Sequence, residues 1–194
     1  TDLPKDFYSS KFFVDQMIKF IEEDKEEEAP FFSYLSFQAQ HIPLQAPKKF
    51  IDKYIKTYEA GWEVLREQRK IRAVENGIFP SDKDIVDSLS RFESWSEVEQ
   101  QDKKMLIKSM AVFAGMLDAM DFHLGRFINY LKEEGLYENT IFIVTADNGP
   151  EGNDPTEHKA WRDWFKTTIY DRDYETLGDQ DSYVFIGTEF AQAM

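Results

Sequence analysis

Residues 140–152 read Thr-Ile-Phe-Ile-Val-Thr-Ala-Asp-Asn-Gly-Pro-Glu-Gly, an uncharged apolar run that ends abruptly in a polar turn. A run this short and this rich in Ile and Val is typical of a strand buried on both faces in a mainly parallel sheet. Open α/β sheets bind their ligands at the carboxyl ends of the strands. The stretch therefore predicts an α/β layer fold, a mainly parallel sheet with flanking helices, and it directs the search for a site to Asp147 and Asn148.

Asp147 and Asn148 permit two interpretations. A carboxylate beside a side-chain amide supplies the hard oxygen ligands that Ca²⁺ or Mg²⁺ prefers, and Gly149 lets the backbone turn sharply away. Asp-Asn-Gly is also one of the commonest turn sequences, and Asn-Gly alone explains the break after the strand. From these residues alone, the plain turn is favoured over the metal site.

A second run, Phe-Phe-Ser-Tyr-Leu-Ser-Phe at residues 31–37, predicts another buried strand. The loop after it contains His41 and is stiffened by Pro43 and Pro47. A lone His after a strand is usually a hydrogen-bonded loop residue. In a restricted loop at the same sheet edge as Asp147, it also suits a proton donor or an oxyanion contact near a metal.

The remaining pattern alternates helices with loops. Apolar residues at helical spacing predict a long helix over residues 103–134 that ends at Gly135. Further helices are predicted after a Ser9 or Ser10 cap, at residues 51–54, at residues 58–75 and around Trp161 and Trp164. Residues 79–101 are predicted to be mainly surface loop, and residues 183–187 a short strand.

The long predicted helix also contains Asp118, Asp121 and His123. Asp118 and Asp121 lie three residues apart on one helix face, and His123 follows them. A metal site is one interpretation of this group. Ion pairs on the helix surface, or contacts behind a site, are far commoner for such residues and are the default expectation.

Composition limits the partners. The 194 residues are 42% hydrophobic, enough for a good-sized core, and have a formal net charge of −14. An acidic chain repels phosphate backbones and anionic lipid surfaces, which argues against nucleic acid or a membrane as the main partner. The sequence has no cysteine, so it has neither disulfides nor a cysteine nucleophile. No apolar stretch approaches the roughly 20 residues that span a bilayer.

Four segments taken in order resemble a known family: residues 37–47, 61–69, 116–121 and 145–152. Their sequences are FQAQHIPLQAP, GWEVLREQR, MLDAMD and TADNGPEG. In combination they look like the middle of a type I arylsulfatase of the alkaline-phosphatase-like superfamily. Two departures are visible, since such enzymes commonly have Pro at the position of Gln40 and Ser at that of Ala146. Neither departure removes a functional side chain.

The resemblance implies hydrolysis of a small-molecule sulfate ester at a Ca²⁺ site. Asp147 and Asn148 match metal-ligand positions, and His41 matches the His that contacts the sulfate and helps the leaving group. Family members also have an amino-terminal aspartate pair and a Cys or Ser that is oxidised to formylglycine, which residues 1–194 do not contain. The resemblance therefore implies the central segment of one sulfatase catalytic domain, with the remainder of that chain as its partner and a periplasmic or secreted location.

Two other classes remain open at this point. A phosphoester or phosphonate hydrolase of the same superfamily shares the Asp-Asn metal position but uses a different nucleophile. A non-catalytic α/β binding module would instead use the acidic surface and the long helix to bind a partner. The sequence upstream of Thr1 would distinguish these alternatives.

Overall fold

The computed structural model describes residues 3–24, 29–80, 92–152, 158–167 and 173–193. Within these ranges the chain forms helices and no strand. The helices are α1 (Ser9–Glu23), α2 (Lys48–Ile51), α3 (Ile55–Tyr58), α4 (Gly61–Glu75), α5 (Gln100–Glu133), a 3-10 helix (Tyr137–Asn139), α6 (Lys159–Thr167) and α7 (Gly187–Gln192). The predicted helix at 51–54 is found one turn earlier, and the one at 58–75 is divided between α3 and α4. Of the predicted surface loop 79–101, residues 81–91 lie outside the described ranges.

Helix α5 is the centre of the fold, and its prediction from the apolar stripe is confirmed. Met110, Val112 and Leu131 on this helix are fully buried. Gly135 ends the helix as predicted, with φ at +71°. Its amide donates to the Lys132 carbonyl at 3.1 Å, and the next amide donates to the Leu131 carbonyl at 2.8 Å. These bonds satisfy carbonyls that the last helical turn would otherwise leave unpaired.

The larger core lies where α2, α3 and α4 meet the amino-terminal half of α5. Gly115 on α5 permits the close approach of α2, because a Cβ there would lie 2.9 Å from the backbone nitrogen of Ile51. Phe190 of α7 closes this core. Its ring meets Trp62 edge-on at 5.5 Å and Tyr58 edge-on at 6.1 Å. Residues 177–193 are therefore an integral part of the core.

Helix α1 packs on the other half of α5 and builds a second, smaller core around Val14, Phe127 and Leu131. An ion pair ties the two helices together, because Arg126 donates to Asp15 at 2.7 Å. The predicted serine cap is wrong. The helix already begins at Ser9, the preceding tyrosine occupies the cap position, and no side chain caps the first turn.

His123 lies beside this ion pair. Its lowered pKa predicts that the stability of the fold depends on pH. Burial, and next the charge of Arg126, lower the pKa of His123, with Lys49 and Lys11 acting in the same direction and Asp15 opposing them. The unfolded chain, with a His pKa near 6.5, therefore takes up this proton before the folded chain does. Stability should fall as pH drops from about 7 towards 5.

Urea denaturation of the chain at pH 7.5, 6.5 and 5.5 measures this effect. The variant His123→Gln keeps a neutral polar side chain and should lose most of the dependence between these values. An equally steep dependence in the variant would contradict the assignment to His123.

The predicted strands at residues 31–37 and 140–146 have no ladder partner in the described part of the chain. They are highly exposed: Phe32 is 93%, Ile141 89% and Ile143 87% accessible. A strand exists only when a neighbour accepts its backbone hydrogen bonds. Residues 183–186 are buried, but Val184 accepts a single backbone bond from Leu44 and no strand forms there either. The sheet therefore stays a prediction.

Candidate functional site

A large groove lies between residues 29–45 and 135–151, with α5 as its floor, and has a volume of about 2770 Å³. His41, Asp147 and Asn148 all border it. The two segments that sequence analysis placed at one sheet edge therefore face the same space. The groove is several times larger than the roughly 300–1,000 Å³ of an ordinary small-molecule pocket, so a small substrate alone would not fill it.

Asp147 and Asn148 form a tight polar turn at the end of the apolar run. The Asn148 amide donates to Asp147 Oδ1 at 3.0 Å, and Asn148 Nδ2 donates to the Gly149 carbonyl at 2.7 Å. The chain bends over residues 147–149, and the two bonds that hold this bend both involve side chains. The second bond uses the amide nitrogen and not Oδ1, the Asn148 atom that a cation would bind. Both side chains are exposed.

The described residues contain no cluster of three or more His, Cys, Asp or Glu side chains able to hold a metal. Asp147 and Asn148 have oxygen atoms of the type that Ca²⁺ binds, but on their own they offer too few, because Ca²⁺ takes about six to eight such ligands.

His41 also borders the groove and is exposed, and its ring is oriented by its own loop. Nδ1 lies 2.6 Å from the Ile42 carbonyl oxygen, so the hydrogen of this bond belongs to Nδ1. Nε2 is then the nitrogen that can exchange a proton with a ligand. The His41 backbone amide also donates to the Gln38 carbonyl at 2.7 Å, which closes a turn.

Side-chain amides hold the His41 loop against the core. Gln40 Nε2 donates to the Phe113 carbonyl of α5 at 3.0 Å. Gln45 Nε2 donates to the carbonyls of Gln180 at 2.8 Å and Ser182 at 3.2 Å. From the sequence, Gln40 is expected to restrict the loop around His41, whereas Gln45 has no predicted role. The signal for Gln45 is a polar side chain within a Pro-rich loop.

Asp118, Asp121 and His123 do not border the groove. Asp118 pairs with Lys53 at 2.6 Å and so joins α5 to the turn after α2. His123 lies beside Arg126, with its Nδ1 3.1 Å from the guanidinium. Asp118 and His123 therefore make structural contacts of the kind expected by default. Asp121 lies exposed on the helix surface.

A carboxylate, an amide and an imidazole that border one groove are groups that metal-assisted ester hydrolysis can use. Comparison with known proteins gives the family. A family model described as Sulfatase matches residues 2–176. The chain belongs to the sulfatase family, which implies the alkaline-phosphatase-like α/β fold.

Individual relatives agree with the family model. The chain is 35% identical over 191 residues to an uncharacterised sulfatase of Schizosaccharomyces pombe, covering 97% of this chain and 34% of the relative. It is 31% identical over 189 residues to an arylsulfatase of Klebsiella aerogenes, covering 97% and 40%. A multifunctional alkaline phosphatase superfamily protein, PehA of Trinickia caryophylli, is 25% identical over 156 residues, covering 78% and 29%. The chain thus spans between a quarter and a half of the length of these relatives.

In the described ranges, no helix is both long and apolar enough to cross a bilayer.

Proposed function

We propose that residues 1–194 are the central part of the catalytic domain of a sulfuric ester hydrolase of the arylsulfatase type. Asp147 and Asn148 supply part of a Ca²⁺ site, and His41 assists the leaving group. The observation that supports this most directly is that all three residues border one groove, although more than 100 residues separate His41 from the other two.

The donor set suits a hard cation. Asp147 contributes carboxylate oxygen and Asn148 contributes Oδ1, which its bond to Gly149 does not use. A bound Ca²⁺ would polarise the sulfate oxygens. The other ligands, and the formylglycine nucleophile that the resemblance implies, would come from parts of the sulfatase outside these 194 residues.

His41 is arranged to act as a general acid. The Nδ1–H bond to the Ile42 carbonyl fixes the ring, so that a protonated His41 presents Nε2–H to the departing alkoxide. Protonation of that oxygen removes the need to expel a strongly basic alkoxide. The Gln40 and Gln45 bonds limit movement of the loop and thus of the acid.

The sheet belongs to the same proposal. Residues 31–37 and 140–146 would become strands of a mainly parallel sheet when the rest of the catalytic domain fills the groove. Both segments are uncharged and border the groove, and each is followed by a residue of the candidate site. The carboxyl ends of neighbouring parallel strands are where such folds bind ligands.

The test uses the complete sulfatase that contains this chain, assayed with para-nitrophenyl sulfate over a range of Ca²⁺ concentrations. His41→Ala should lower kcat by roughly 10²–10⁴-fold, the usual contribution of a general acid. Asp147→Ala should raise the Ca²⁺ concentration needed for activity. Asp118→Asn is the matched control, since that carboxylate pairs with Lys53 away from the groove and its loss should leave both quantities unchanged.

A phosphoester or phosphonate hydrolase is the second candidate, favoured by the match to a multifunctional alkaline phosphatase superfamily protein. It would use the same Asp147 and Asn148 position. Preferential hydrolysis of para-nitrophenyl phosphate over the sulfate by the complete enzyme would replace the sulfatase proposal with this one.

A further inference from the structure

Residues 177–193, here called the anchor segment, contact both loops of the candidate site. On one side, the Thr188 hydroxyl donates to the Gly152 carbonyl at 2.8 Å. Gly152 lies five residues after Asp147 in the same polar stretch. A Cβ on Gly152 would lie only 3.1 Å from the Ala191 Cβ, so the chain at Gly152 lies close to α7.

On its other side, the anchor segment holds the loop that follows His41. The Leu44 amide donates to the Val184 carbonyl at 3.0 Å, and the Ala46 amide donates to the Gly178 carbonyl at 3.0 Å. The Gln45 side chain adds its two bonds to carbonyls of the same segment. The loop is thus fixed by backbone and side chain together.

The anchor segment is itself firmly placed. Val184, Ile186 and Phe190 are at most 2% exposed. At the carboxyl end of α7, Arg66 donates to the Gln192 carbonyl at 2.8 Å and Arg69 donates to the Ala193 carbonyl at 3.1 Å. Cationic donors at this end satisfy the last carbonyls and complement the helix dipole.

We propose that the anchor segment sets the position of Asp147 and Asn148 relative to His41, and that Thr188 is the positioning residue on the metal side. The proposal rests on the proposed function of these three residues. A rigid element in contact with both loops couples them, because neither loop can shift without breaking its bonds to that element. Residues that hold metal ligands in place commonly affect metal affinity even though they do not touch the metal.

The test compares Thr188→Val, which keeps the shape and removes the hydroxyl, with Thr188→Ser, which keeps the hydroxyl. In the complete sulfatase, Thr188→Val should weaken Ca²⁺ binding by about 10-fold, measured by calorimetry without substrate. Thr188→Ser should bind Ca²⁺ close to the wild-type value. Hydrogen exchange of the amides of residues 147–152 should be faster in Thr188→Val than in wild type.

Gln45→Ala tests the other side of the same segment. It should lower kcat at saturating Ca²⁺ and leave the calorimetric Ca²⁺ affinity unchanged, because it releases only the His41 loop.

Wild-type Ca²⁺ affinity in Thr188→Val would overturn the proposal. So would the same loss of affinity in Thr188→Val and Gln45→Ala, which would indicate general destabilisation. If the wild type binds Ca²⁺ but does not hydrolyse sulfate esters, the proposed function fails while calorimetry still decides the role of Thr188.

Discussion

The 194-residue chain, purified alone and supplied with Ca²⁺, is expected to leave para-nitrophenyl sulfate intact. In the proposed site, Asp147 and Asn148 would provide only two of the roughly six to eight oxygen ligands that Ca²⁺ takes. The chain has no cysteine, and none of its serines lies in the Cys/Ser-x-Pro-x-Arg sequence that the resemblance requires for formylglycine. Without a nucleophile the covalent route is absent, so the expected effect is complete loss relative to a whole sulfatase.

The measurement is release of para-nitrophenol, compared with a heat-treated sample of the same preparation. A rate above that control would need a second comparison, since a trace of a whole sulfatase could produce it. The His41→Ala chain supplies this comparison. A rate that disappears in the variant would contradict the prediction, whereas a rate that persists unchanged identifies a co-purified enzyme.

Elements that depend on local sequence could be predicted well. The apolar stripe and Gly135 were sufficient for α5, because hydrophobic spacing and a left-handed terminal residue act within a few residues of each other. The serine cap at α1 failed because α1 already begins at Ser9, and Ser10 is buried inside the first turn, where its side chain caps nothing.

Features that depend on distant partners could not be predicted in the same way. Whether residues 140–146 form a strand is decided by a neighbouring strand, and the described residues provide none. The bond from Thr188 to Gly152 joins residues 36 positions apart and has no local sequence signal. The residues of the candidate site could be proposed from the sequence, whereas long-range contacts of its loops, such as the bond from Thr188 to Gly152, could not.

The isolated chain is also expected to self-associate, because its groove exposes two uncharged apolar segments. Phe32, Tyr34, Ile141, Ile143 and Val144 are each 78–93% exposed. Unpaired, uncharged segments of β-forming residues are templates for pairing with other chains. The net charge of −14 opposes association, so added salt should increase it by screening that repulsion. Size-exclusion chromatography with light scattering measures the oligomeric state.

Lysine substitutions test whether these segments cause the association and whether they form a sheet. Ile143→Lys should shift the isolated chain towards monomer. Ile78→Lys is the matched control, since Ile78 is 79% exposed but lies away from the groove, and it should leave association unchanged. A compact wild-type monomer with a two-state melt would contradict the prediction.

In the complete sulfatase the effect of Ile143→Lys should reverse. If residues 140–146 are a strand buried on both faces there, lysine at this position places a charge in the core, which costs several kcal/mol unless it is paired. The variant should then lower the melting temperature strongly, whereas Ile78→Lys should not. A neutral effect of Ile143→Lys in the complete enzyme would mean that the segment stays exposed, and the predicted sheet would have to be abandoned at this position.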